Sequence, residues 1–273
     1  MKTMQKKFGV ALLLALLAAP MHGVARAQAS AAHTAAAPVK TESLHTSAPA
    51  EPQNLHISAP AEPQNLGLLK TKLKAYAKCC YAEALEKQDE VAEMFLERAV
   101  KNHPSTQGPR AGGPGNKQAK PGEKLALVLD IDETSLSNYP EMAADDYGFI
   151  AKDWDAWADE AKAAAIPGTL KLAEKAQALG VTVFFITGRA DTLRAATEKN
   201  LREAGYANWA GLTMRAPDQL HEATIAYKSA AREAIVKQGY KIILSVGDQW
   251  SDLKGTPQAE YSVKLPNPFY YIP

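Results

Sequence analysis

The sequence has little of what would direct a protein to a nucleic acid or fix it in a membrane. Its 273 residues carry a formal net charge of +1, and no run of basic residues occurs beyond the first seven positions. Nucleic-acid-binding proteins usually concentrate positive charge on one face, so we expect no nucleic acid polymer as a partner. The apolar run from Phe8 to Ala19 is shorter than the roughly 20 residues of a membrane-spanning helix. We therefore expect no stable membrane anchor.

Cysteine is scarce as well, because the chain has two, Cys79 and Cys80, and they are adjacent. Neighbouring side chains on a helix point about 100° apart, so a disulfide between them would need a strained backbone. We expect two small, buried or half-buried thiols, with an intermolecular bridge as the alternative. Neither cysteine lies near the amino terminus, so none is available for a lipid anchor there.

The amino terminus has the three parts of a secretory signal peptide. Three lysines within the first seven residues precede the apolar run, and small residues surround Ala27 and Ala29, where signal peptidase would cut. We predict that residues 1–29 are a signal peptide and that the mature protein is periplasmic or secreted.

Residues 30–67 are rich in Ala, Pro, Ser and Thr and contain a direct repeat, in which Ser43–Gln53 is followed by Asn54–Gln64. Such a segment cannot bury enough apolar surface to offset the entropy lost on ordering. We predict a flexible linker here and a folded domain at residues 68–273.

The folded part is predicted to be an α/β domain. Apolar residues at helical spacing from Leu68 to Val100 predict one long helix or two shorter ones, and residues 102–122 read as a loop. Strands and helices then alternate, which favours a mostly parallel, doubly wound sheet. The predicted strands are Leu125–Leu129, Val181–Ile186, Gly211–Met214, Lys241–Val246 and Tyr261–Leu265, and the predicted helices are Thr169–Leu179, Thr192–Ala204 and Glu222–Gln238. The aromatic-rich stretch Ser135–Ala165 is predicted to be a small cap-like insertion.

Two carboxylates directly follow the first predicted strand. Asp130 and Asp132 are two residues apart, so in an extended segment their side chains point to the same side. They would meet at the carboxyl edge of the sheet, where open α/β folds bind ligands. This arrangement suits Mg²⁺ and a phosphoryl group, with one carboxylate attacking phosphorus and the other handling the proton. Two such acids taken alone could equally be a helix cap and a solvated side chain.

Polar residues elsewhere favour the phosphoryl-transfer interpretation. Thr187 follows the second predicted strand, Lys228 lies on or at the start of a helix, and Asp248 and Asp252 follow the later strand. Each has an ordinary explanation by itself, as a cap, a solvated face or a turn. Together they supply a hydroxyl and an ammonium for phosphoryl oxygens and acids for Mg²⁺.

These segments resemble the four ordered motifs of the haloacid dehalogenase superfamily. The similar segments are Asp130-Ile-Asp-Glu-Thr134, Phe185-Ile-Thr-Gly-Arg189, Lys228 and Gly247-Asp-Gln-Trp-Ser-Asp252. Glu133, Leu136-Ser-Asn-Tyr139 and Lys264-Leu-Pro-Asn-Pro268 are similar to its acid-phosphatase branch, subfamily IIIB, which includes secreted bacterial acid phosphatases and plant vegetative storage proteins. The resemblance covers Leu68–Pro273 and departs from the bacterial class C pattern at Gln249-Trp250.

The resemblance implies a Rossmann-like core and an exported, Mg²⁺-dependent acid phosphatase that hydrolyses small phosphomonoesters. It assigns Asp130 as the nucleophile that forms an aspartyl-phosphate and Asp132 as the residue that protonates the leaving oxygen and activates water. Thr187 and Lys228 would hold the phosphoryl oxygens. The implied Mg²⁺ ligands are Asp130, the backbone carbonyl of Asp132 and Asp248, with Asp252 as a direct or outer ligand.

Two alternatives remain open on the same fold: a non-catalytic storage or binding protein, and a phosphotransferase that passes the phosphoryl group to an alcohol. The presence of Asp130 favours an enzyme. Dinucleotide binding is disfavoured because no Gly-rich turn follows the first strand. An aromatic cluster either stacks on the base of a nucleoside monophosphate or fills the interface between insertion and core. Its members are Tyr147, Phe149, Trp154 and Trp157.

Overall fold

The computed structural model describes residues 63–103 and 123–272. The predicted signal peptide, nearly all of the predicted linker and most of the predicted loop at 102–122 lie outside these ranges. All described residues belong to the unit Ala59–Pro273. Among them, no helix combines the length and the apolar composition that crossing a membrane would require.

A five-stranded sheet forms the centre of the fold, in the order β5-β4-β1-β6-β7. All four pairs of neighbouring strands are parallel, which confirms the predicted doubly wound α/β fold. The strands are β1 (Lys124–Leu129), β2 (Leu136–Ser137), β3 (Ala164–Ala165), β4 (Thr182–Ala190), β5 (Gly211–Arg215), β6 (Tyr240–Gly247) and β7 (Tyr261–Lys264). The helices are α1 (Leu66–Cys79), α2 (Tyr81–Asn102), α3 (Tyr139–Ala144), α4 (Ala151–Glu160), α5 (Pro167–Ala178), α6 (Arg194–Glu203), α7 (Thr224–Lys237) and α8 (Trp250–Leu253).

Alternation along β1 explains why the central strands are apolar on both faces. Successive side chains of a strand point to opposite faces of the sheet. Leu125, Leu127 and Leu129 accordingly pack in the core that also includes residues of α2 and α5. Ala126 and Val128 pack in the second core, which includes residues of α7. Because both faces are covered, the carboxyl edge of the sheet is where polar side chains can gather.

The amino-terminal helices correct the prediction for the two cysteines. The helical segment is two helices, α1 and α2, which meet at Cys80. Cys79 and Cys80 are both exposed and form a disulfide with each other, so the prediction of buried or half-buried thiols was wrong. The prediction treated Cys79 and Cys80 as neighbours on one helix, whereas the backbone of Cys80 leaves the helical conformation with φ −139°. The two side chains therefore do not have the fixed offset of helical neighbours.

The insertion Ser135–Ala165 leaves the core just after β1 and returns just before α5. Its two ends are joined by the antiparallel pair of β2 and β3, in which Leu136 faces Ala165 and Ser137 faces Ala164. Helices α3 and α4 lie between these strands. The insertion is therefore fixed next to the carboxyl end of β1.

Strands β4 and β5 both extend further toward their carboxyl ends than the sequence predicted. β4 continues to Ala190, because Ala190 pairs with Arg215 of β5, and β5 itself ends at Arg215. Between Ile186 and Ala190 the register of this pair shifts. Such a bulge redirects side chains at the end of a strand. Thr187, Gly188 and Arg189 occupy it.

Candidate active site

Asp130 lies at the centre of the polar cluster, directly after β1, and its side chain is 6% exposed. Lys228, on α7, brings its Nζ to 2.5 Å from Asp130 Oδ1 and also contacts Asp252 Oδ1. Lys228 and Asp252 are buried too. One buried ammonium thus joins a residue after β1 to a residue of α8.

Three of the predicted site residues form a compact group of carboxylates. One oxygen each from Asp130, Asp248 and Asp252 lies within 4.8 Å of the other two, and all three residues are buried. Hard oxygen donors are the ligands that Mg²⁺ and Ca²⁺ prefer. Gly247 permits this approach, because a Cβ at that position would collide with the Asp252 carboxylate. The group therefore fits a divalent cation.

Burial and mutual repulsion govern the protonation of this group. Burial raises the pKa of Asp130 well above its ordinary value, with the nearby acids adding to the effect and Lys228 opposing it. Burial and Asp252 raise the pKa of Asp248 to about 6. Burial disfavours the ammonium of Lys228, but Asp130 and Asp252 outweigh it and hold the pKa of Lys228 above its ordinary value. A bound divalent cation would favour the ionised carboxylates, because it adds opposite charge beside them.

The carboxylate of Asp132 is held by a separate set of donors. Arg189 Nε and Nη2 donate to Asp132 Oδ1 at 2.9 and 2.6 Å, and Asn138 Nδ2 donates to the same oxygen at 2.9 Å. Thr187 Oγ1 lies 3.4 Å from Asp132 Oδ2. Arg189 is itself buried, and its guanidinium lies 5.4 Å from the centre of the Trp154 ring. The rotation of the Asp132 carboxylate is therefore restricted.

Asp248 has a comparable set of donors, drawn from three different segments. Asn267 Nδ2 and Gln249 Nε2 donate to Asp248 Oδ2 at 2.7 and 2.6 Å, and Thr134 Oγ1 donates to Asp248 Oδ1 at 3.2 Å. The backbone N–H of Gln249 donates to Asp252 Oδ2 at 2.8 Å. These bonds fix the carboxylate planes before any ligand is bound.

Glu133 is a further buried acid of the site, and its backbone adopts a left-handed conformation with φ 53°. Its carboxylate accepts hydrogen bonds from the backbone N–H of Asn138 at 2.6 Å and from Tyr270 OH at 3.0 Å. Burial and the neighbouring charges of Asp132 and Asp248 raise its pKa to about 8. Glu133 thereby joins the insertion and the carboxyl-terminal segment to the turn after β1.

A cleft of about 540 Å³ lies beside these groups, and the polar residues that line it include Asp130, Asp132, Glu133, Arg189, Lys228 and Asp248. The predicted aromatic cluster divides between the two alternatives. Phe149, which is 74% exposed, and Trp154 line the cleft, and Tyr147 lines it while stacking on Phe269. Trp157 instead packs against the core and donates its Nε1–H to Asn138 Oδ1 at 2.9 Å.

The structure brings all six sequence-predicted site residues to one edge of the sheet. Lys228 contacts Asp130 and Asp252, Thr187 contacts Asp132, and Asp248 completes the carboxylate group. The residues that sequence reasoning missed are those that hold these side chains or line the cleft beside them: Glu133, Thr134, Asn138, Arg189, Arg215, Gln249, Asn267 and Tyr270. Several were in the quoted motifs without a role. Arg215 could have been found as the first polar side chain after the apolar end of the β5 prediction.

A parallel, doubly wound sheet with clustered acids at its carboxyl edge defines the class of the protein. The family model that matches is the haloacid dehalogenase superfamily, subfamily IIIB (acid phosphatase), which covers residues 50–273. The chain belongs to this family.

Relatives within the family carry two kinds of name. Acid phosphatase 1 of Solanum lycopersicum is 40% identical over 148 residues, which are 53% of this chain and 58% of that protein. Vegetative storage protein 1 of Arabidopsis thaliana is 34% identical over 154 residues, which are 54% of this chain and 55% of that protein. The chain thus spans less than two thirds of the length of these curated relatives.

A solved structure supports the fold independently. The class C acid phosphatase from Bacillus anthracis superposes with a TM-score of 0.57 over 75% of this chain and 86% of that chain, at 23% sequence identity. At this identity the likeness concerns the fold.

Proposed function

We propose that this protein is an exported, Mg²⁺-dependent phosphomonoesterase that works through an aspartyl-phosphate on Asp130. The observation that carries the proposal is the group at the carboxyl end of β1, where the Asp130 carboxylate is buried between Lys228 and the acids Asp248 and Asp252. The chain also belongs to a family of acid phosphatases, and this membership is consistent with the proposed chemistry.

In the first step, an oxygen of Asp130 attacks phosphorus and the bond from phosphorus to the ester oxygen breaks. Asp132 gives a proton to the departing oxygen, so the leaving group is released as an alcohol. Arg189 and Asn138 orient the Asp132 carboxylate for this transfer. Holding a proton donor in place typically accelerates such a step by about 10²- to 10⁴-fold.

In the second step, Asp132 takes a proton from water and the water oxygen attacks the phosphorus of the aspartyl-phosphate. The bond from phosphorus to Asp130 breaks, which regenerates the carboxylate and releases inorganic phosphate. Lys228 and the hydroxyl of Thr187 are placed to bind phosphoryl oxygens in both steps.

Asp130, the backbone carbonyl of Asp132, Asp248 and Asp252 would hold the cation. When bound, Mg²⁺ offsets the repulsion between the carboxylates and a phosphate dianion. Thr134, Gln249 and Asn267 keep Asp248 oriented for that purpose, as donors behind a ligand generally do.

Nucleoside monophosphates are candidate substrates within this class. Phe149 and Trp154 line the cleft and present aromatic surface on which a base can stack. Such stacking contributes about 1–3 kcal/mol per base in nucleic-acid binding. A nucleoside monophosphate should then show a higher kcat/KM than glycerol 3-phosphate. Equal kcat/KM values would show that the base does not contribute to substrate recognition.

A storage protein and a phosphotransferase are the competing functions on this fold. The name of the Arabidopsis relative supports the first, whereas the buried pair of Asp130 and Lys228 favours catalysis here. Hydrolysis and transfer to an alcohol share the aspartyl-phosphate and differ in its acceptor. Product analysis with added alcohol separates them.

The test of the proposed function is an assay of several phosphomonoesters with and without a chelator. Chelation should abolish turnover and Mg²⁺ should restore it, because the carboxylate group alone repels the substrate. Asp248→Asn should raise the Mg²⁺ concentration needed for half-maximal rate, whereas Asp191→Asn, which alters an acid paired with Arg194 on the surface, should leave it unchanged. Full activity in excess chelator would refute the metal requirement.

Export is proposed from the amino-terminal sequence, since a basic segment, an apolar run and small residues occur in the order of a signal peptide. Amino-terminal sequencing of the mature protein should give a start after Ala27 or Ala29. A mature protein that begins at Met1 and stays in the cytoplasm would contradict it.

A further inference from the structure

Arg215 is a buried cation of the cleft to which the proposed reaction gives no role. It ends β5, so it lies at the same edge of the sheet as Asp130 and Thr187, and its residue is 6% exposed. It lines the cleft together with Asp130 and Lys228. A guanidinium is charged at all working pH values, so this position carries a fixed positive charge.

The other two buried cations of the cleft are each paired with carboxylates. Lys228 pairs with Asp130 and Asp252, and Arg189 pairs with Asp132. Among residues 63–103 and 123–272, no carboxylate forms an ion pair with Arg215. Burying a charge without an opposite charge is costly, so a buried arginine usually has an anionic partner.

The hydrogen bonds of Arg215 go to neutral groups. Nη1 donates to the backbone oxygens of Gln219 and Glu222 at 2.8 and 2.9 Å, and Nη2 donates to Thr224 Oγ1 at 3.0 Å. The guanidinium lies 4.5 Å from the centre of the Tyr227 ring. These contacts orient the side chain and brace the segment that leads into α7, but they leave its charge uncompensated.

Part of the guanidinium edge has no acceptor in the described part of the chain. An arginine has five N–H donors, and three of them are used in the bonds above, which leaves Nε–H and one N–H of Nη2. Gly188 lies beside Nε, since an added Cβ at that position would contact it at 4.0 Å. A guanidinium that lines the cleft and keeps unused N–H groups can donate them to a carboxylate or phosphate bound there.

We propose that Arg215 binds a second anionic group, a carboxylate or a phosphate, on the leaving group of the phosphomonoester. This inference rests on the proposed function. Arg215 is on β5, two strands from β1 in the order β5-β4-β1, and strands spaced at about 4.8 Å put these backbones roughly 10 Å apart. A phosphoryl group at Asp130 is therefore held by Lys228 and Thr187, while Arg215 reaches the far end of a short leaving group.

A matched pair of substrates tests this assignment. Glycerol 3-phosphate and 3-phosphoglycerate differ in one end of the leaving group, which is a hydroxymethyl group in the first and a carboxylate in the second. The wild-type protein should show the higher kcat/KM for 3-phosphoglycerate. Arg215→Gln should lower the ratio of the two kcat/KM values by on the order of 10- to 100-fold, since a charge-assisted hydrogen bond is lost. Arg202→Gln, on the surface of α6, should leave the ratio unchanged.

If the substitution only disturbed the segment that leads into α7, it would lower kcat/KM for both esters equally. A change in the ratio of the two kcat/KM values therefore reports the loss of anion binding by Arg215. Arg215→Lys keeps the charge but loses the planar guanidinium, so it should show a ratio between those of the wild type and Arg215→Gln. If Arg215→Gln does not fold, Arg215→Lys takes its place in the same measurement. An unchanged ratio in both variants, or a wild-type protein without preference for 3-phosphoglycerate, would overturn the inference.

Calorimetry distinguishes this failure from a failure of the proposed function. Binding of both esters to Asp130→Asn in the presence of Mg²⁺ requires no turnover. Tighter binding of 3-phosphoglycerate that is lost on adding Arg215→Gln supports the role of Arg215 even if neither ester is hydrolysed. Equal binding of the two esters would contradict it even if both are hydrolysed.

Discussion

At the scale of single residues, Asp130 and Asp132 carry the same functional group but have different partners. Asp130 is enclosed by Lys228 and two other acids, whereas Asp132 is held by Arg189 and Asn138. The proposed reaction gives them different roles, nucleophile and proton carrier. Substitutions at the two positions should therefore fail in different ways.

Asp130→Asn should eliminate the aspartyl-phosphate and leave turnover at background, because it removes the carboxylate that the proposed reaction uses as its nucleophile. Asp132→Asn should slow phosphorylation of the enzyme by up to about 10²- to 10⁴-fold. The loss should be smaller for a nitrophenyl ester than for a ribose ester, because nitrophenolate departs without needing a proton. Single-turnover kinetics on both esters, with acid trapping of the phosphoenzyme, measures both effects.

Asn138→Ser offers a comparison for the second substitution, since it removes a donor to Asp132 while leaving the carboxylate in place. It should reduce the rate less than Asp132→Asn and keep the same order of leaving groups. A trapped phosphoenzyme in Asp130→Asn, or equal losses for both esters in Asp132→Asn, would contradict the assigned roles.

The polar side chains that gather at the candidate site could be predicted from the sequence, and the residues that donate hydrogen bonds to them could not. Asp130, Thr187 and Asp248 lie at or just beyond runs of apolar residues, so strand periodicity reveals them. Two of the three side-chain donors to Asp248 named above are Thr134 and Asn267, which are 114 and 19 residues away in the chain. Such contacts depend on how separate segments pack, and no local pattern encodes them.

At the scale of elements, the apolar runs predicted where the strands lie but did not predict where they end. β4 runs beyond Ile186 because its last residue pairs with Arg215 of β5 across a bulge, and a cross-strand pairing cannot be read from one strand. The sequence also left undecided whether α1 and α2 are one helix or two, since neither Gly nor Pro marks the break at Cys80. A helix end of this kind depends on tertiary packing more than on propensity.

The insertion shows why the aromatic cluster could not be assigned from spacing alone. Trp154 and Trp157 are three residues apart on α4, so they lie on neighbouring parts of one helix face. Trp157 is held by Asn138 at the base of the insertion, whereas Trp154 lies beside Arg189 in the cleft. Which ring faces the core depends on how α4 packs against α3 and α6, and the spacing of the two residues does not reveal that packing.

At the scale of the whole molecule, the amino-terminal helix α2 packs against α5 of the α/β core, and one contact between them is made by a buried acid. Asp89 of α2 is 2% exposed and accepts a hydrogen bond from Thr169 Oγ1 at 3.1 Å, while its Oδ2 has no hydrogen-bond partner among the described residues. Gly168 permits this contact, because a Cβ there would collide with the Asp89 carboxylate. Burial raises the pKa of Asp89 to about 7, which Thr169 only partly opposes.

This raised pKa makes the free energy of unfolding depend on pH. Below about pH 4 the carboxyl is protonated in both the unfolded and the folded states, so it has no net effect. Between about pH 4 and pH 7 the unfolded chain loses its proton while the folded protein retains it, so stability falls as the pH rises. Above pH 7 the loss is complete and amounts to up to about 4 kcal/mol. The amino end of α5 faces this carboxyl and favours its charged form, which reduces the effect.

Asp89→Asn should therefore stabilise the protein at pH 8 and change little at pH 4, because the amide stays neutral and can still accept the bond from Thr169. The measurement is the difference in unfolding free energy between variant and wild type, from urea denaturation at several pH values. The raised pKa values of Asp248, about 6, and Glu133, about 8, also make stability depend on pH, but their contributions cancel in the difference, because both residues are present in both proteins. Glu90→Gln removes an exposed carboxylate next to Asp89 on α2, and its difference in unfolding free energy from the wild type should not change with pH. A flat difference for Asp89→Asn as well would mean that the buried carboxyl does not couple folding to pH.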